Sequence, residues 1–347
     1  MKLGLTAAAF GPEAKLNLDF IKLAESLGFD SAWTAEAYGN DAVTTAAWIL
    51  ANTTKMKVGT AIMQIPARTP AMTAMTAMTL DNLSGGRFIL GLGPSGPQVV
   101  EGWHGVPYGK PLTRTRETIA IIKQILAREK PLEFRGEHYT IPATGPGTTG
   151  LGKPLKSILH GNPNLKIYTA SIGPAGLKVS AEIADGVFPM MMIPEKFESV
   201  QLPHLLEGFK AAGGGKTLAN FDVVPGVTVV INDDLQKARD AVKPGTALYV
   251  GGMGARGKNF YNDHAKRLGF EEAAVKIQDL YLSGKRAEAI AAVPDEMIDA
   301  VALVGPKARI KERLQAWRDA GKQGHVHTMQ IGTSQPEALK LLAEELL

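Results

Sequence analysis

Three side chains that can exchange protons stand at or just beyond the ends of predicted β-strands. Glu36 closes the apolar run 31–36 and Tyr38 follows it, while His104 lies in the segment after the run 87–92. Barrel enzymes place their catalytic groups at the carboxyl ends of strands, so we predict these three as catalytic residues. Tyr38 is interpreted as a proton donor or ring contact. The alternative for His104 is a loop histidine that makes only a structural hydrogen bond.

A glycine motif accompanies His104. The stretch RFILGLGPSG contains Gly91, Gly93 and Gly96 in the spacing G-x-G-x-x-G, which is also the fingerprint of dinucleotide-binding folds. Here it follows the fourth predicted strand, Pro94 interrupts it, and glycines and prolines delay the next predicted helix to about Leu112. We therefore do not predict a dinucleotide site, although the loop still offers backbone N–H groups at a strand end.

A second candidate anion site lies in TASIGPAGLK, which begins at residue 169. Ser171, Gly173 and Pro174 lead from a predicted strand into a predicted helix. Free N–H groups and the positive end of the helix dipole meet at such a point, which suits a phosphate. The alternative is a helix that is merely well capped.

Composition narrows the functional classes. The 347 residues include no cysteine, which excludes disulfides and thiolate chemistry, and the formal charge of +4 is spread along the chain. His325 and His327 share a face of the last predicted strand but have no third ligand, so no metal site is predicted. We expect a cytoplasmic protein that binds a small molecule and neither nucleic acid nor membrane.

Eight short apolar runs alternate with helix-length segments, and this pattern predicts a (β/α)8 barrel of the TIM type in one domain over residues 1–347. The runs cover residues 2–6, 31–36, 57–63, 87–92, 166–170, 186–190, 222–231 and 325–331. Two long connections, about 129–165 and 232–324, precede strands five and eight and are expected to roof the barrel mouth. The first is expected to contain a small hairpin.

Several helices have recognisable ends. Asn17 or Asp19 caps the first, Asp41 opens the second, and Pro70 opens AMTAMTAMTLDNLSGG, whose glycine pair ends the third. The third helix is weakly polar and rich in Ala and Met. We therefore expect a homodimer that pairs through the helices after strands two and three.

Several motifs together resemble one known family. WTAEAYGNDAVT, VGTAIM, PARTPAMTAM, LSGGRFILGLGPSG, ASIGPAGLKVSAEIADG and VGPKARIKERLQAWRDAG resemble the bacterial luciferase-like flavin and deazaflavin superfamily. Within it, the sequence is most similar to the actinobacterial branch that uses coenzyme F420, a 5-deazaflavin. The resemblance extends over nearly the whole chain.

The resemblance implies where the cofactor would bind. A bulge after strand three with a non-proline cis peptide, Ala61–Ile62 and then Met63 here, would support the deazaflavin ring, and Glu36 would face the polar edge of that ring. The phosphate-bearing tail would lie between two loops. These loops are Gly93, Pro94, Ser95 and Gly96 after strand four, and Ser171, Ile172, Gly173 and Pro174 after strand five.

Two departures from the family's dehydrogenases shape the predicted activity. The histidine that follows the acid in the F420-dependent dehydrogenases is Ala37 here, and their strand-four glutamate corresponds to Gly96. Reduction of an electron-poor acceptor needs less side-chain chemistry, because the cofactor carries the hydride. We therefore predict an F420-dependent oxidoreductase that acts as a reductase on an unidentified small organic substrate, with His104 as a replacement acid/base group.

Three other functions stay open. An FMN-dependent luciferase-like monooxygenase, which uses reduced flavin and oxygen, is the main alternative. A Schiff-base aldolase is disfavoured because Lys2, Lys57 and Lys166 all lie at strand starts. A barrel that binds a flavin-like ligand without turnover is the third.

Overall fold

A parallel sheet that closes into a barrel forms the centre of the computed structural model, which describes residues 1–7 and 11–347. The strands are β1 (Lys2–Thr6), β2 (Ser31–Thr34), β3 (Lys57–Thr60), β4 (Met63–Gln64), β5 (Phe88–Gly93), β6 (Phe134–Arg135), β7 (Thr140–Ile141), β8 (Ile167–Ala170), β9 (Gly186–Phe188), β10 (Asp222–Val223), β11 (Gly226–Ile231), β12 (Ala302–Gly305) and β13 (Thr328–Gly332). The strands of the main sheet run parallel in the order β10, β9, β8, β5, β3, β2, β1, β13, β11 and β12.

The α-helices alternate with these strands and surround the sheet. They are α1 (Leu18–Ser26), α2 (Ala42–Asn52), α3 (Pro70–Ser84), α4 (Pro97–Gly102), α5 (Pro111–Ala127), α6 (Pro174–Ile183), α7 (Phe197–Val200), α8 (Leu202–Ala212), α9 (Leu235–Ala247), α10 (Phe260–Arg267), α11 (Glu271–Leu282), α12 (Arg286–Ala291), α13 (Asp295–Val301), α14 (Lys307–Lys322) and α15 (Pro336–Leu346). The predicted (β/α)8 barrel is confirmed, whereas its assignment as a single domain stays a prediction.

The barrel closes through a break in the seventh predicted strand. The run 222–231 was expected to be continuous, but it forms β10, which pairs with β9, and β11, which pairs with β13. Pro225 lies between the two and has no N–H to donate to a ladder, while its carbonyl accepts from the Gln330 N–H at 2.9 Å. The proline therefore marks the point where the strand changes neighbours and the ring is completed.

One strand was missed. β12 pairs in parallel with β11 on the side away from β13, inside the segment expected to be an insertion of helices. It begins at Ala302, directly after α13 ends at Val301, with no glycine or proline between them. A four-residue apolar run joined to a helix has no periodicity of its own, so the sequence pattern could not separate the two.

Two other boundaries differ from expectation near the barrel mouth. The run 57–63 is divided into β3 and β4 at a cis peptide between Ala61 and Ile62, the position that the family resemblance implies. Helix α4 follows directly after Gly96, where glycines and prolines predicted no helix. Pro97 stands at its first position, where a missing N–H costs no hydrogen bond.

The predicted helix ends are confirmed for the first three helices. The side chain of Asn17 accepts from the Phe20 N–H, that of Asp41 accepts from the Thr44 N–H, and Gly85 ends α3 in the left-handed conformation. Asp19 lies within the first turn of α1 and is not the cap.

The interior of the barrel is aromatic. Trp33 on β2 stacks on Tyr168 of β8, with ring centroids 5.9 Å apart, and meets the edge of Phe188 at 5.1 Å. A large aliphatic core packs between the sheet and its surrounding helices. The segment between β11 and β13 adds a second, smaller core of its own, which includes Val250, Ile277 and Met297.

The expectation that the two long connections roof the barrel mouth stays a prediction. The first contains the predicted hairpin, β6 and β7, which packs against α5. The Glu117 carboxylate on α5 holds it by accepting N–H groups of Glu137, His138 and Tyr139. The second connection follows the carboxyl end of β11 and contains helices α9 to α14 together with β12. In the part of the chain that the structure describes, every helix is too short or too polar to cross a membrane.

Candidate active site

Every predicted site residue lies at or beyond the carboxyl end of a barrel strand. Glu36 and Tyr38 follow β2, residues 61–63 follow β3, residues 93–96 and His104 lie at or beyond the end of β5, and residues 171–174 follow β8. These four strands are neighbours in a parallel sheet, so their carboxyl ends form one continuous edge of the barrel mouth. The structure therefore brings the predicted residues to one face.

The carboxylate of Glu36 is fully engaged by protein groups. The Arg68 guanidinium donates to both of its oxygens, at 2.6 and 3.0 Å, and the N–H groups of Ala42 and Gln64 donate at 2.9 and 2.8 Å. The Glu36 side chain is 6% exposed and that of Arg68 is 20% exposed. This two-pronged ion pair joins the loops after β2 and β3. The bonding favours a positioning role for Glu36 over proton transfer.

Gln64 connects this ion pair to His104. Its side-chain N–H donates to the Ala37 carbonyl at 2.5 Å, which leaves its amide oxygen to accept from the His104 ring at 3.0 Å. A carbonyl can only accept, so the amide orientation is set and Nε2 of His104 carries a hydrogen. Nδ1 of the neutral ring is then left as an acceptor. The predicted acid/base residue is thus held in one tautomer at the barrel mouth.

Tyr38 and Met63, two further residues predicted for the site, differ in how far their side chains are exposed to solvent. Tyr38 is 64% exposed, so its ring and hydroxyl are open to a bound molecule. Met63 is 1% exposed, which leaves its backbone as the part that a cofactor could reach. Ala61 and Ile62 are partly buried and pack against the aromatic interior of the barrel.

The glycine motif serves strand packing. A Cβ on Gly91 would collide with the Thr60 carbonyl oxygen of β3, and a Cβ on Gly93 would lie 2.8 Å from the Ile62 side chain. The Thr60 hydroxyl donates to the Gly91 carbonyl and accepts from its N–H, at 2.7 and 2.9 Å. The first two glycines therefore allow close contact with the segment at Ile62, which is a different use from the pyrophosphate loop of a dinucleotide fold.

The loop after β8 leads into α6, and the space next to the N-terminus of this helix is open. A Cβ on Gly173, which caps α6, would meet no atom within 4 Å. Pro174 has no N–H, so the next N–H groups at this end belong to Ala175 and Gly176, which have no partner within the helix. The Ser171 hydroxyl lies 2.7 Å from the Ser180 hydroxyl, which fixes the loop to α6.

The chain matches the family model described as "Luciferase-like monooxygenase" over residues 2–324. This chain belongs to the luciferase-like family. It is 43% identical over 323 residues to a Mycobacterium tuberculosis protein assigned as a coenzyme F420-dependent oxidoreductase, which covers 92% of this chain and 93% of that relative. It is 30% identical to a 5,10-methylenetetrahydromethanopterin reductase of Archaeoglobus fulgidus, with 100% of this chain and 99% of the relative covered.

Solved structures agree with this assignment. The coenzyme F420-dependent tetrahydromethanopterin reductase of Methanopyrus kandleri superposes with a TM-score of 0.80 at 27% identity, over 99% of this chain and 97% of that one. An F420-dependent secondary alcohol dehydrogenase, solved with an F420–acetone adduct, superposes with a TM-score of 0.75 at 17% identity, over 99% and 98%. The second similarity shows the shared fold alone.

One tyrosine beside the predicted cofactor loop was missed by the sequence analysis of this luciferase-like barrel. Tyr108 donates its hydroxyl to the Ser95 carbonyl at 3.3 Å. The two residues are 13 positions apart and share no motif, so the sequence could not have indicated this contact.

The opposite end of the luciferase-like barrel holds the lysines considered for Schiff-base chemistry. Lys2, Lys57 and Lys166 line a cavity of about 570 Å³ there, and Asp30 lies 3.7 and 3.3 Å from the first two amines. This end is far from the strand ends that carry the predicted site. The placement agrees with the sequence-based argument against an aldolase.

We predict that Glu36 and Arg68 act as one structural unit. Glu36→Gln and Arg68→Met should each lower the free energy of unfolding by about 3 kcal/mol, because either change leaves a buried partner without its counter-charge. The double variant should lower the free energy of unfolding little more than either single variant, because the second change removes the charge that the first change left without a partner. Urea unfolding measures all three values.

Arg256→Met is the matched control, because Arg256 pairs with Asp279 at 2.8 Å on the exposed surface. Arg256→Met should lower the free energy of unfolding by less than about 1 kcal/mol. If the Glu36 and Arg68 variants behaved like this control, or if their effects simply added, the ion pair would not hold the two loops together.

Proposed function

We propose that this luciferase-like protein is an F420-dependent oxidoreductase that reduces a small organic substrate with hydride from the cofactor. The observation that carries the proposal is the open helix start at Gly173 and Pro174, on the same barrel face as Ile62 and His104. A phosphate-bearing cofactor whose ring must reach that face would fit this arrangement. The relatives assigned to F420 chemistry support it.

The residues at the mouth fit the two ends of such a cofactor. The N–H groups at the start of α6 and the space over Gly173 suit a phosphate, and the loop from Gly93 to Gly96 would line the same cleft. The partly buried Ala61 and Ile62 offer an apolar surface for a flat ring. Ile172 and Met63 would contribute to cofactor binding through their backbone atoms and their place in the two loops.

When bound, F420 supplies and accepts hydride, so the protein need not provide a redox group. Glu36 holds the loops after β2 and β3 in register through Arg68. His104 keeps a proton at Nε2 for Gln64 and, as the imidazolium, would hold a second at Nδ1 for transfer to product. Tyr38 remains exposed as a further donor.

Two residues at the mouth support the reductase direction. The family resemblance puts Ala37 and Gly96 at the positions of the acid/base pair of the dehydrogenases, and neither residue has a side-chain group that could accept a proton from an alcohol. Relatives named as reductases support the same direction. The matched family model is described as a monooxygenase, which keeps reduced FMN with oxygen as the second candidate.

We predict that the phosphate is recognised at Gly173. Gly173→Val should fold normally, because its φ of −90° and ψ of 162° suit valine and the added Cβ has no atom within 4 Å. The variant should lose at least tenfold in affinity for F420, since the side chain fills the phosphate space. Its affinity for the deazaflavin core that lacks the phosphate tail should change less than twofold.

Fluorescence titration with both ligands measures these affinities. Leu177→Ala is unsuitable as a control because Leu177 is buried, whereas Glu182→Gln changes the same helix at its far end and should leave both affinities unchanged. Equal losses for the two ligands would place the phosphate elsewhere. Failure of the unmodified protein to bind either ligand would contradict the proposed function itself.

We also propose a homodimer formed through α2 and α3. The AMT repeat turns Met72 and Met75 outward, at 50% and 52% exposed, and Trp48 on α2 is 58% exposed. Neither helix carries a lysine or arginine, and the single acid of the two, Asp81, is buried. An uncharged apolar face on two adjacent helices is typical of a subunit interface.

Light scattering tests this interface. The unmodified protein should have twice the 36.9 kDa mass of one chain, and Trp48→Glu or Met75→Glu should give monomers, because a buried unpaired carboxylate opposes association. Ile158→Glu changes a 94% exposed apolar residue outside these helices and should leave the dimer intact. A monomeric unmodified protein would overturn the proposal.

A further inference from the structure

A chain of three hydroxyl groups links strand β8 to helix α6. Thr169 of β8 donates its hydroxyl hydrogen to the Ser180 hydroxyl of α6 at 2.7 Å. The Ser180 oxygen also lies 2.7 Å from the hydroxyl oxygen of Ser171, in the loop between the two elements. Thr169 and Ser180 are 2% and 1% exposed, whereas Ser171 is only partly buried. The chain therefore begins inside the protein and ends in the loop where the cofactor phosphate is proposed to bind.

The burial of Ser180 determines which hydroxyl donates to which. A hydroxyl has one hydrogen to donate and two lone pairs that accept. Ser180 accepts from Thr169, and among residues 1–7 and 11–347 its hydroxyl has no other partner than Thr169 and Ser171. If Ser171 donated to Ser180, the Ser180 hydrogen would be buried without an acceptor, which is unfavourable. Ser180 therefore donates to Ser171.

This direction leaves the Ser171 hydrogen available to a bound molecule. Ser171 accepts from Ser180, and in the described part of the chain its hydroxyl has no further protein partner. Its own O–H can therefore donate away from Ser180. Hydrogen bonds in a buried chain polarise one another, so the two inner hydroxyls strengthen the donor at the end of the chain.

A glycine places the Ser171 hydroxyl against the first turn of α6. A Cβ on Gly176 would lie 3.2 Å from the Ser171 hydroxyl oxygen and 3.3 Å from the Ser171 Cβ, so the serine packs directly on the glycine. Ala175 and Gly176 supply the N–H groups that have no partner within the helix. The Ser171 hydroxyl therefore lies at the same helix start as these N–H groups and the open space next to Gly173.

We propose that Ser180 is a positioning residue for the cofactor phosphate. It fixes the Ser171 hydroxyl as a donor, so that Ser171 and the N–H groups at the start of α6 together select a fully ionised phosphate, whose free oxygens only accept. A serine that could rotate freely would accept as readily as it donates and would serve a protonated or neutral group equally well. Hydrogen bonds from fixed donors to a charged oxygen are the stronger kind. This inference rests on the proposed function.

Ser180→Ala tests this role, because alanine removes the donor to Ser171 and lets the Ser171 hydroxyl rotate. The variant should bind F420 at least fivefold more weakly, whereas its affinity for the deazaflavin core that lacks the phosphate tail should change less than twofold. Ser171→Ala removes the donor to the phosphate itself and should weaken F420 binding at least tenfold. Fluorescence titration with both ligands measures these affinities.

The double variant separates positioning from a general structural effect. Because Ser180 acts on the phosphate only through Ser171, the protein with both alanines should bind F420 at most about twofold more weakly than Ser171→Ala alone. Two independent effects would multiply instead. Thr115→Ala is the matched control, since Thr115 is 4% exposed and its hydroxyl donates to a carbonyl of α5. It should leave both affinities unchanged.

Three results would overturn the positioning role: normal F420 affinity in Ser180→Ala, effects that multiply in the double variant, or equal losses for F420 and the core. A lower melting temperature of Ser180→Ala with normal F420 affinity would show that the chain only stabilises α6. A loss in Gly173→Val without one in Ser171→Ala would keep the phosphate at α6 and exclude the hydroxyl chain from its recognition. Failure of the unmodified protein to bind F420 would contradict the proposed function instead, so the two failures are distinct.

Discussion

The buried Glu36 carboxylate is the constraint on which the barrel mouth depends. Two donors from Arg68 and two backbone N–H groups surround it, so the loop after β2 cannot move without the loop after β3. The Gln64 N–H is one of those donors, and the Gln64 side chain in turn holds His104 from the loop after β5. The buried Glu36 carboxylate, together with Gln64, thereby links the loops after β2, β3 and β5. A carboxylate used in this way is poorly suited to exchange protons, although its position at a strand end is what marked it as a catalytic candidate.

The barrel was predictable because its signals are local. Alternating apolar runs and helix-length segments, capped by residues such as Asp41, repeat along the chain, and each repeat can be recognised by itself. The two errors in the predicted strands were also local in origin. Pro225 divides a run that reads as one strand, and β12 adjoins a helix without a breaker, so composition alone could not place either boundary.

The site was predictable in part for a related reason. Glu36, Tyr38 and His104 lie at or beyond strand ends, and the topology of a parallel barrel guarantees that such positions share a face. The partners that decide what these residues can do are long-range. Arg68 lies thirty-two positions from Glu36, and Tyr108 reaches Ser95 from beyond α4. Sequence patterns record which residues follow a strand, but not which distant side chains satisfy or cover them.

The barrel contributes two different features to the mouth. Gly91 and Gly93 allow close strand packing beside Ile62, and the start of α6 at Gly173 is open. The first feature suits a flat ring and the second suits an anionic tail.

Parallel titration of the purified protein with F420 and with FMN tests the central claim most directly. Both ligands carry a phosphate and a three-ring system, so the comparison isolates recognition of the deazaflavin and its extended tail. The account predicts saturable F420 binding at one site per chain and FMN binding at least a hundredfold weaker. Equal or tighter binding of FMN would contradict the deazaflavin assignment and support the monooxygenase, and binding of neither would contradict the account of the mouth as a cofactor site.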